Sequence, residues 1–444
     1  MCIRDSCLNC HDTHSVHGSR RLLREGTDGG AVSPKVGGNA ALEETCYQCH
    51  SAVPVVTNAA NEVKNIETDF NLARHMPITS LDQTAGTEVH DIQDSDFTEP
   101  QALLGRPLTN RHAECTDCHN PHRVMRNSLF NGTGTPEATH DHAATHSNIA
   151  SGALRGTWGV EPVYGASEFL TLPLTYDPKQ GDGGIGASDA VTATWVTREY
   201  QICLKCHSDF GYFDNDQYPT GSRPNLTGTG GGTPANTNGL LQYTNQAMEF
   251  QAPQGHDGEP QGLTGSGAGS NFEGGTQFNH RSWHPVILPT GRTTAIRGAD
   301  ANAWLAPWNT VAAIGSQTMY CSDCHGSATG ANTVVPTGNN PWGPHGSSED
   351  FILKGTWDAQ TGANVNANGL CFKCHDFTTY ATEAGEATAS GFNDEGPRGG
   401  GNSPNLHGFH AKRIGANIQC MWCHTAVPHG WKNKALLVNL NDVG

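Results

Sequence analysis

The stretch Cys203-Leu204-Lys205-Cys206-His207 decides how this chain is read, because it occurs in seven versions. The others carry Cys7, Cys10 and His11; Cys46, Cys49 and His50; Cys115, Cys118 and His119; Cys321, Cys324 and His325; Cys371, Cys374 and His375; and Cys420, Cys423 and His424. With 15 Cys and 23 His in 444 residues, chance supplies about 0.03 such patterns. The seven are therefore a repeated site. Two thiols and an adjoining imidazole at this spacing form the attachment site of a c-type haem. The thiols make thioethers to the porphyrin, and the histidine becomes an axial iron ligand. Zinc is a rival for paired cysteines, but zinc sites do not need a histidine after every second cysteine. A disulfide framework would show irregular spacing rather than identical tight pairs.

The motifs take up every cysteine except Cys2. Met1-Cys2-Ile3-Arg4-Asp5 is what ATG TGT ATA AGA GAC encodes, a transposase end sequence used in preparing sequencing libraries. Residues 1–5, extended at most by Ser6, are expected to be adapter-derived. A native thiol at Cys2 is the rival, but no apolar signal segment precedes it. Hydrophobic residues make up only 35% of the chain and aromatic ones 7%, against 54 glycines. So thin an apolar content would struggle to offset chain entropy. Seven porphyrin plates would supply the missing apolar surface. The net charge of −17 excludes a nucleic-acid partner, which needs basic surface. No segment approaches the roughly 18–20 apolar residues of a membrane span. Covalent haem attachment implies export, so a signal peptide is expected to have been lost by truncation.

The motifs fall into two kinds. Leading motifs (Cys46, Cys203, Cys371) carry Tyr, Leu or Phe and then Gln or Lys between the cysteines. Trailing motifs (Cys7, Cys115, Cys321, Cys420) carry Asn or Asp before the second cysteine, except Cys420-Met421-Trp422-Cys423. After each trailing motif come a histidine and an apolar pair: His14 with Leu22-Leu23, His122 with Leu129-Phe130, His345 with Ile352-Leu353, and His429 with Leu436-Leu437. Between leading and trailing motifs stands a middle histidine, read as His75, His284 and His410. The repeat predicts haem-pair units at 36–150, 151–355 (with Gly-rich insertions) and 356–444. Residues 6–35 are then the trailing half of a truncated unit, and the intact protein should hold at least eight haems.

Sixteen histidines lie outside the motifs, and seven second axial ligands are needed. The repeat selects His14, His75, His122, His284, His345, His410 and His429. His17 competes with His14, His407 with His410, and His280 with His284, while His112 is a further candidate. His90, His140, His142, His146 and His256 read as solvated loop histidines, and the acidic stretch 91–96 as a solvated loop rather than a calcium site. Two imidazoles saturate iron, so a wholly bis-histidine chain would move electrons and offer no open site for substrate.

Elements such as Cys115-Thr-Asp-Cys-His-Asn-Pro-His122, Trp283-His284-Pro285-Val286, Gly343-Pro344-His345-Gly346 and Pro428-His429-Gly430-Trp431 resemble the multihaem c-type cytochromes with doubled CxxCH motifs. That family includes outer-surface and extracellular cytochromes of metal-reducing bacteria, some of which polymerise into filaments. The likeness covers about half of the chain, in islands around the haems. It implies a fold that is mostly coil with short α-helices and little β, wrapped around a chain of stacked haems. It also implies electron transfer outside the cytoplasm, at the cell surface or in the periplasm, to other redox proteins, minerals, electrodes or partner cells. Self-assembly into filaments is a further implication. A multihaem reductase for nitrite, hydroxylamine or sulfur oxyanions is the enzymatic alternative and needs one five-coordinate haem. A cytochrome subunit of a porin complex is a third reading. Haem as core has a direct consequence: the chain made without haem attachment should give a far-UV circular dichroism spectrum of unfolded protein. A helical, cooperatively melting apo-chain would contradict it.

Overall fold

The computed structural model describes residues 7–12, 22–23, 41–52, 63–72, 90, 92, 113–124, 140, 142–165, 172–184, 186–211, 245–252, 282–357, 367–393, 403–414, 419–424, 426–431 and 434–437. The helices are α1 (Ala41–His50), α2 (Glu67–Phe70), α3 (Cys115–Cys118), α4 (Tyr200–Cys203), α5 (Gln246–Glu249), α6 (Thr294–Arg297), α7 (Phe377–Ala381) and α8 (Leu406–Ile414). Two antiparallel pairs complete the regular structure. β1 (Gly159–Val163) lies against β2 (Thr175–Lys179), and β3 (Ser282–Trp283) against β4 (Gly430–Trp431). The rest is turns, single 3-10 turns and irregular chain. Buried side chains are as often polar or charged as apolar. The largest apolar cluster gathers Val160, Tyr200, Leu204, Phe250, Val286, Ile287 and Trp308, with Cys321 and Cys374 packed on it.

Each attachment motif sits on one helical turn. In α1 the whole motif is helical, so Cys46, Cys49 and His50 share a face. Glu43 and Glu44 in its first turn complement the helix dipole. The acidic residue of the trailing motifs has a local task. Asp117 Oδ2 accepts from the Glu114 backbone N–H at 2.8 Å, and Asp323 Oδ2 accepts from that of Tyr320 at 2.8 Å. Each carboxylate thus closes the start of the turn that carries its motif.

The basic residue of the leading motifs works at longer range. Lys205 Nζ, buried, donates to the Asp117 carbonyl inside the preceding trailing motif. Lys373 Nζ donates to the Thr329 and Gly330 carbonyls at 2.8 and 2.7 Å, just beyond the motif at Cys321. The leading motifs at Cys203 and Cys371 are therefore tied to the previous unit by a lysine in the x-x interval, where the motif at Cys46 has Gln48.

The apolar pairs after trailing motifs fold the chain back. Asp12 N–H donates to Leu22 O at 2.9 Å, Gly326 N–H to Ile352 O at 2.7 Å, and Ala426 N–H to Leu436 O at 3.2 Å. Leu23 bridges His11, and Leu353 bridges His325. The return is tight enough to put Leu22, Phe351, Ile352, Ala435 and Leu436 at φ between 54° and 60°. That left-handed region costs a residue with a side chain about 1–2 kcal/mol. In the unit at Cys115 the expected pair Leu129-Phe130 lies outside the described residues. Replacing Lys205 with Met leaves a buried carbonyl without its charged donor, at a cost of about 1.5–3 kcal/mol. Lys205→Met should therefore lower the denaturation midpoint while Lys412→Met, on an exposed lysine, leaves it in place. Equal midpoints for the two variants would show that the tie does not hold the units together.

Candidate functional site

The fourteen motif cysteines are free thiols. The first cysteines of each leading and trailing motif meet: Cys115 hydrogen-bonds Cys46, Cys203 pairs with Cys321, and Cys371 with Cys420. These contacts, then burial, raise the Cys115, Cys203 and Cys371 thiols well above their ordinary range. Burial pushes Cys118, Cys206 and Cys324 up to about 12. The second cysteines carry the succession onward. Cys118 feels Cys203, and Cys374 feels Cys324. From Cys46 to Cys420 the motifs follow one another in space as they do in sequence.

Opposite the motif histidines stand other histidines. Ring centroids lie 6.1 Å apart for His11 and His122, 6.1 Å for His119 and His345, and 6.2 Å for His90 and His207. The separations are 6.3 Å for His325 and His429 and 6.1 Å for His407 and His424. These separations fall in the upper part of the roughly 4.5–7 Å range of aromatic pairs. Two metal–imidazole bonds of about 2.0–2.1 Å, plus about 1.1 Å from each Nε2 to its ring centre, give roughly 6.3 Å. The slots have the width of an iron with two axial imidazoles. His284 lowers the pKa of His375, which places it in that histidine's surroundings.

The other ring nitrogen is also arranged. Nδ1 of His50 meets Lys64 O at 3.0 Å, that of His119 meets Ala153 O at 2.9 Å, and that of His325 meets Phe351 O at 2.9 Å. His424 meets Ala435 O at 2.5 Å, and His90 meets Pro344 O at 2.7 Å. His284 is held by Pro428 O. A carbonyl accepts, so Nδ1 is the protonated nitrogen and the Nε2 lone pair is free for a metal. His429 differs: its Nδ1 lies 2.6 Å from the Glu249 carboxylate, which is fully buried. Burial holds His207 and His375 near 3, and His50, His325 and His407 near 4, so these imidazoles are neutral at pH 7.

The assignment of second ligands shifts from the sequence expectation. His122, His284, His345 and His429 stand beside motif histidines, in the pairings given above. His14 and His75 lie outside the described residues, as do His17, His112, His256, His280 and almost all of the acidic stretch 91–96. His90, read from sequence as solvated, is instead turned to His207. Its signal was weak, since Val89-His90-Asp91 matches no other middle histidine. His407 rather than His410 faces His424: Asn405 caps the start of α8 through the His407 N–H at 2.9 Å, and Ser390 Oγ meets His407 Nδ1 at 2.9 Å. His410 lies against Phe392. His140 and His146 are buried rather than solvated, and His142 is partly buried. Among the described residues, no histidine ring stacks on His50.

One feature suits the carboxylates of a porphyrin. Arg292 Nε and Nη2 are buried without a hydrogen-bond partner. Among the described residues, no carboxylate lies within ion-pair distance of Arg292 or Arg297. Arg297, which donates to Arg292 O at 2.9 Å, stands in the region of His284 and His375. Gathered thiols, opposed imidazoles and an unpaired buried cation together fit haem. Among the described residues, no motif brings its two thiols and its histidine within the reach of one small ion, as zinc would require. Compared with protein-family models, curated proteins and solved structures, the chain matches none.

Proposed function

We propose that this chain is a multihaem c-type cytochrome that carries electrons outside the cytoplasm through seven covalently attached, bis-histidine haems. The observation that carries the reading is the set of five histidine pairs standing 6.1–6.3 Å apart, each with one partner from an attachment motif. Haem iron held there would supply one-electron redox chemistry. The chain's own residues do the rest. Paired cysteines would hold each haem, and the opposed imidazoles would hold its iron. Carbonyl acceptors on Nδ1 hold each ring in one orientation, which keeps the ligand geometry alike in both oxidation states. The unbroken succession of motifs supports transfer along the chain rather than chemistry at one centre. Extracellular acceptors such as minerals, electrodes or partner cells suit a conduit of this kind. No helix among the described residues is long and apolar enough to cross a membrane.

The test is electron paramagnetic resonance on the oxidised holo-protein, with haem counted as its pyridine haemochrome. Seven haems per chain, all low-spin, are expected. Fewer than seven would defeat the motif reading. A high-spin signal of about one haem per chain would mean an open iron and favour a reductase.

Glu249 offers a second test. Its buried carboxylate draws the Nδ1 proton of His429 and strengthens Nε2 as a donor, which favours ferric iron at the site of His325. Glu249→Gln should raise one midpoint potential in a titration of the holo-protein. The shift is about 60 mV for each tenfold change in relative ferric over ferrous affinity. A titration that superimposes on wild type would show that Glu249 is only a packing residue.

A further inference from the structure

A cluster that joins two histidines from outside the attachment motifs to one motif carboxylate has the makings of a second kind of metal site. His142 and His146 come from the segment just before Ala150, and Asp323 from the turn at Cys321. One donor atom from each lies within 4.8 Å of the other two. His146 Nε2 is 3.4 Å from Asp323 Oδ2, and His142 Nδ1 is 4.0 Å from Asp323 Oδ1. The first distance is longer than a charge-assisted hydrogen bond, about 2.7–2.9 Å. It matches the roughly 3.3 Å between two ligands on a tetrahedral ion with bonds of about 2.0–2.1 Å.

The orientation of the donors supports a ligand between them. His146 Nδ1 donates to Thr318 O at 2.7 Å, which directs the Nε2 lone pair at Asp323. Asp323 is completely buried, and its Oδ1 has no hydrogen-bond partner; nor has His142 Nδ1. An unsatisfied buried carboxylate oxygen is costly unless something cationic meets it. Trp308 lies 5.2 Å from both imidazoles and Tyr320 5.3 Å from that of His146, so the pocket has apolar walls. Lys354 is the nearby basic side chain, but its Nζ is spent on Val334 O and the Trp342 ring. The His-x-x-x-His spacing is itself common among structural zinc ligands.

We propose that His142, His146 and Asp323 bind a divalent first-row transition ion of the zinc type, at a site that uses none of the motif cysteines and none of the motif histidines. Two imidazoles and one carboxylate form a borderline donor set that prefers such an ion to calcium or magnesium. The ion ties the 142–146 segment to the turn that presents Cys321, Cys324 and His325. This site does not depend on the haem reading, and its test is kept separate from it.

Holo-protein equilibrated with Zn(II) and then passed over a chelating resin is assayed for zinc per chain by mass spectrometry, with chain concentration from amino-acid analysis. One tightly held zinc per wild-type chain is expected, and His142→Ala and His146→Ala should each lose that equivalent at unchanged haem content. X-ray absorption at the zinc edge should show nitrogen and oxygen neighbours and no sulfur. Absence of retained zinc in wild type, or equal zinc in wild type and both variants, would overturn the site. Should the buried His146→Ala variant fail to fold, the more exposed His142→Ala decides alone.

Discussion

Opposition of two imidazoles across a slot about 6 Å wide is the constraint on which the rest of the molecule depends. Four of the five pairs join different units, while His407 and His424 share the last one. The trailing histidine of one unit faces the trailing motif of the unit before it: His122 faces His11, His345 faces His119, and His429 faces His325. The middle histidine of one unit turns to the leading motif of the next, as His90 does to His207. The exchange is reciprocal and is locked by proline carbonyls. His90 Nδ1 meets Pro344 O, next to His345, and His284 Nδ1 meets Pro428 O, next to His429. Proline contributes a carbonyl and no N–H, so the preceding chain leaves that acceptor to the imidazole. With histidines exchanged in both directions, and His407 facing His424 within the last unit, the units interlock rather than forming a row of independent domains.

The backbone is bent to serve these rings. The left-handed residues Phe351 and Ala435 are the ones whose carbonyls receive His325 and His424. Extended chain at those positions would carry the carbonyl away from the imidazole. Strain of this kind persists where surrounding contacts over-determine it. Here the bridge at Leu353 and the backbone bond from Gly326 do so. The apolar pairs that follow trailing motifs are thus buttresses of the motif histidine and only secondarily core.

Much of this was legible in the sequence. Spacing alone marked the attachment turns, and the division into leading and trailing motifs anticipated which cysteines meet. Asp117 and Asp323 were visible as a difference between motif kinds, although their capping role required three-dimensional structure. The exchange of histidines was not legible, because a repeat shows which residues are equivalent and not whose partner each is. His90 escaped because its neighbours are unlike those of His284. His407 and His410 share one short helix, and only the cap at Asn405 decides which of them turns to His424. Insertion also hides equivalence. His119 takes its acceptor from Ala153, more than thirty residues on, where the other units use the residue just before or within the apolar pair.

Charge placement follows from the same architecture. The chain is strongly acidic, yet basic side chains sit close to the motifs: Lys205 and Lys373 are buried inside them, Arg297 is near His375, and the buried Arg292 is beside Arg297. Burial lowers Arg292 to about 10 and Lys373 to about 8, which measures how unfavourable each charge is without an anion beside it. Lys205 and Lys373 are compensated by carbonyls of the preceding unit, so their charge is spent on joining units. Arg292 has two nitrogens without a partner among the described residues, which is tolerable only if an anionic group meets them. A porphyrin carries two carboxylates, and with haem at Cys371 and Cys374 the propionates would be the missing counter-charges. Neutralising them inside the protein would remove negative charge from around that iron and favour its ferrous state over that of sites whose propionates face water. In the proposed cytochrome the arginines would therefore bias where along the line an electron rests, while the histidine pairs would fix the line itself.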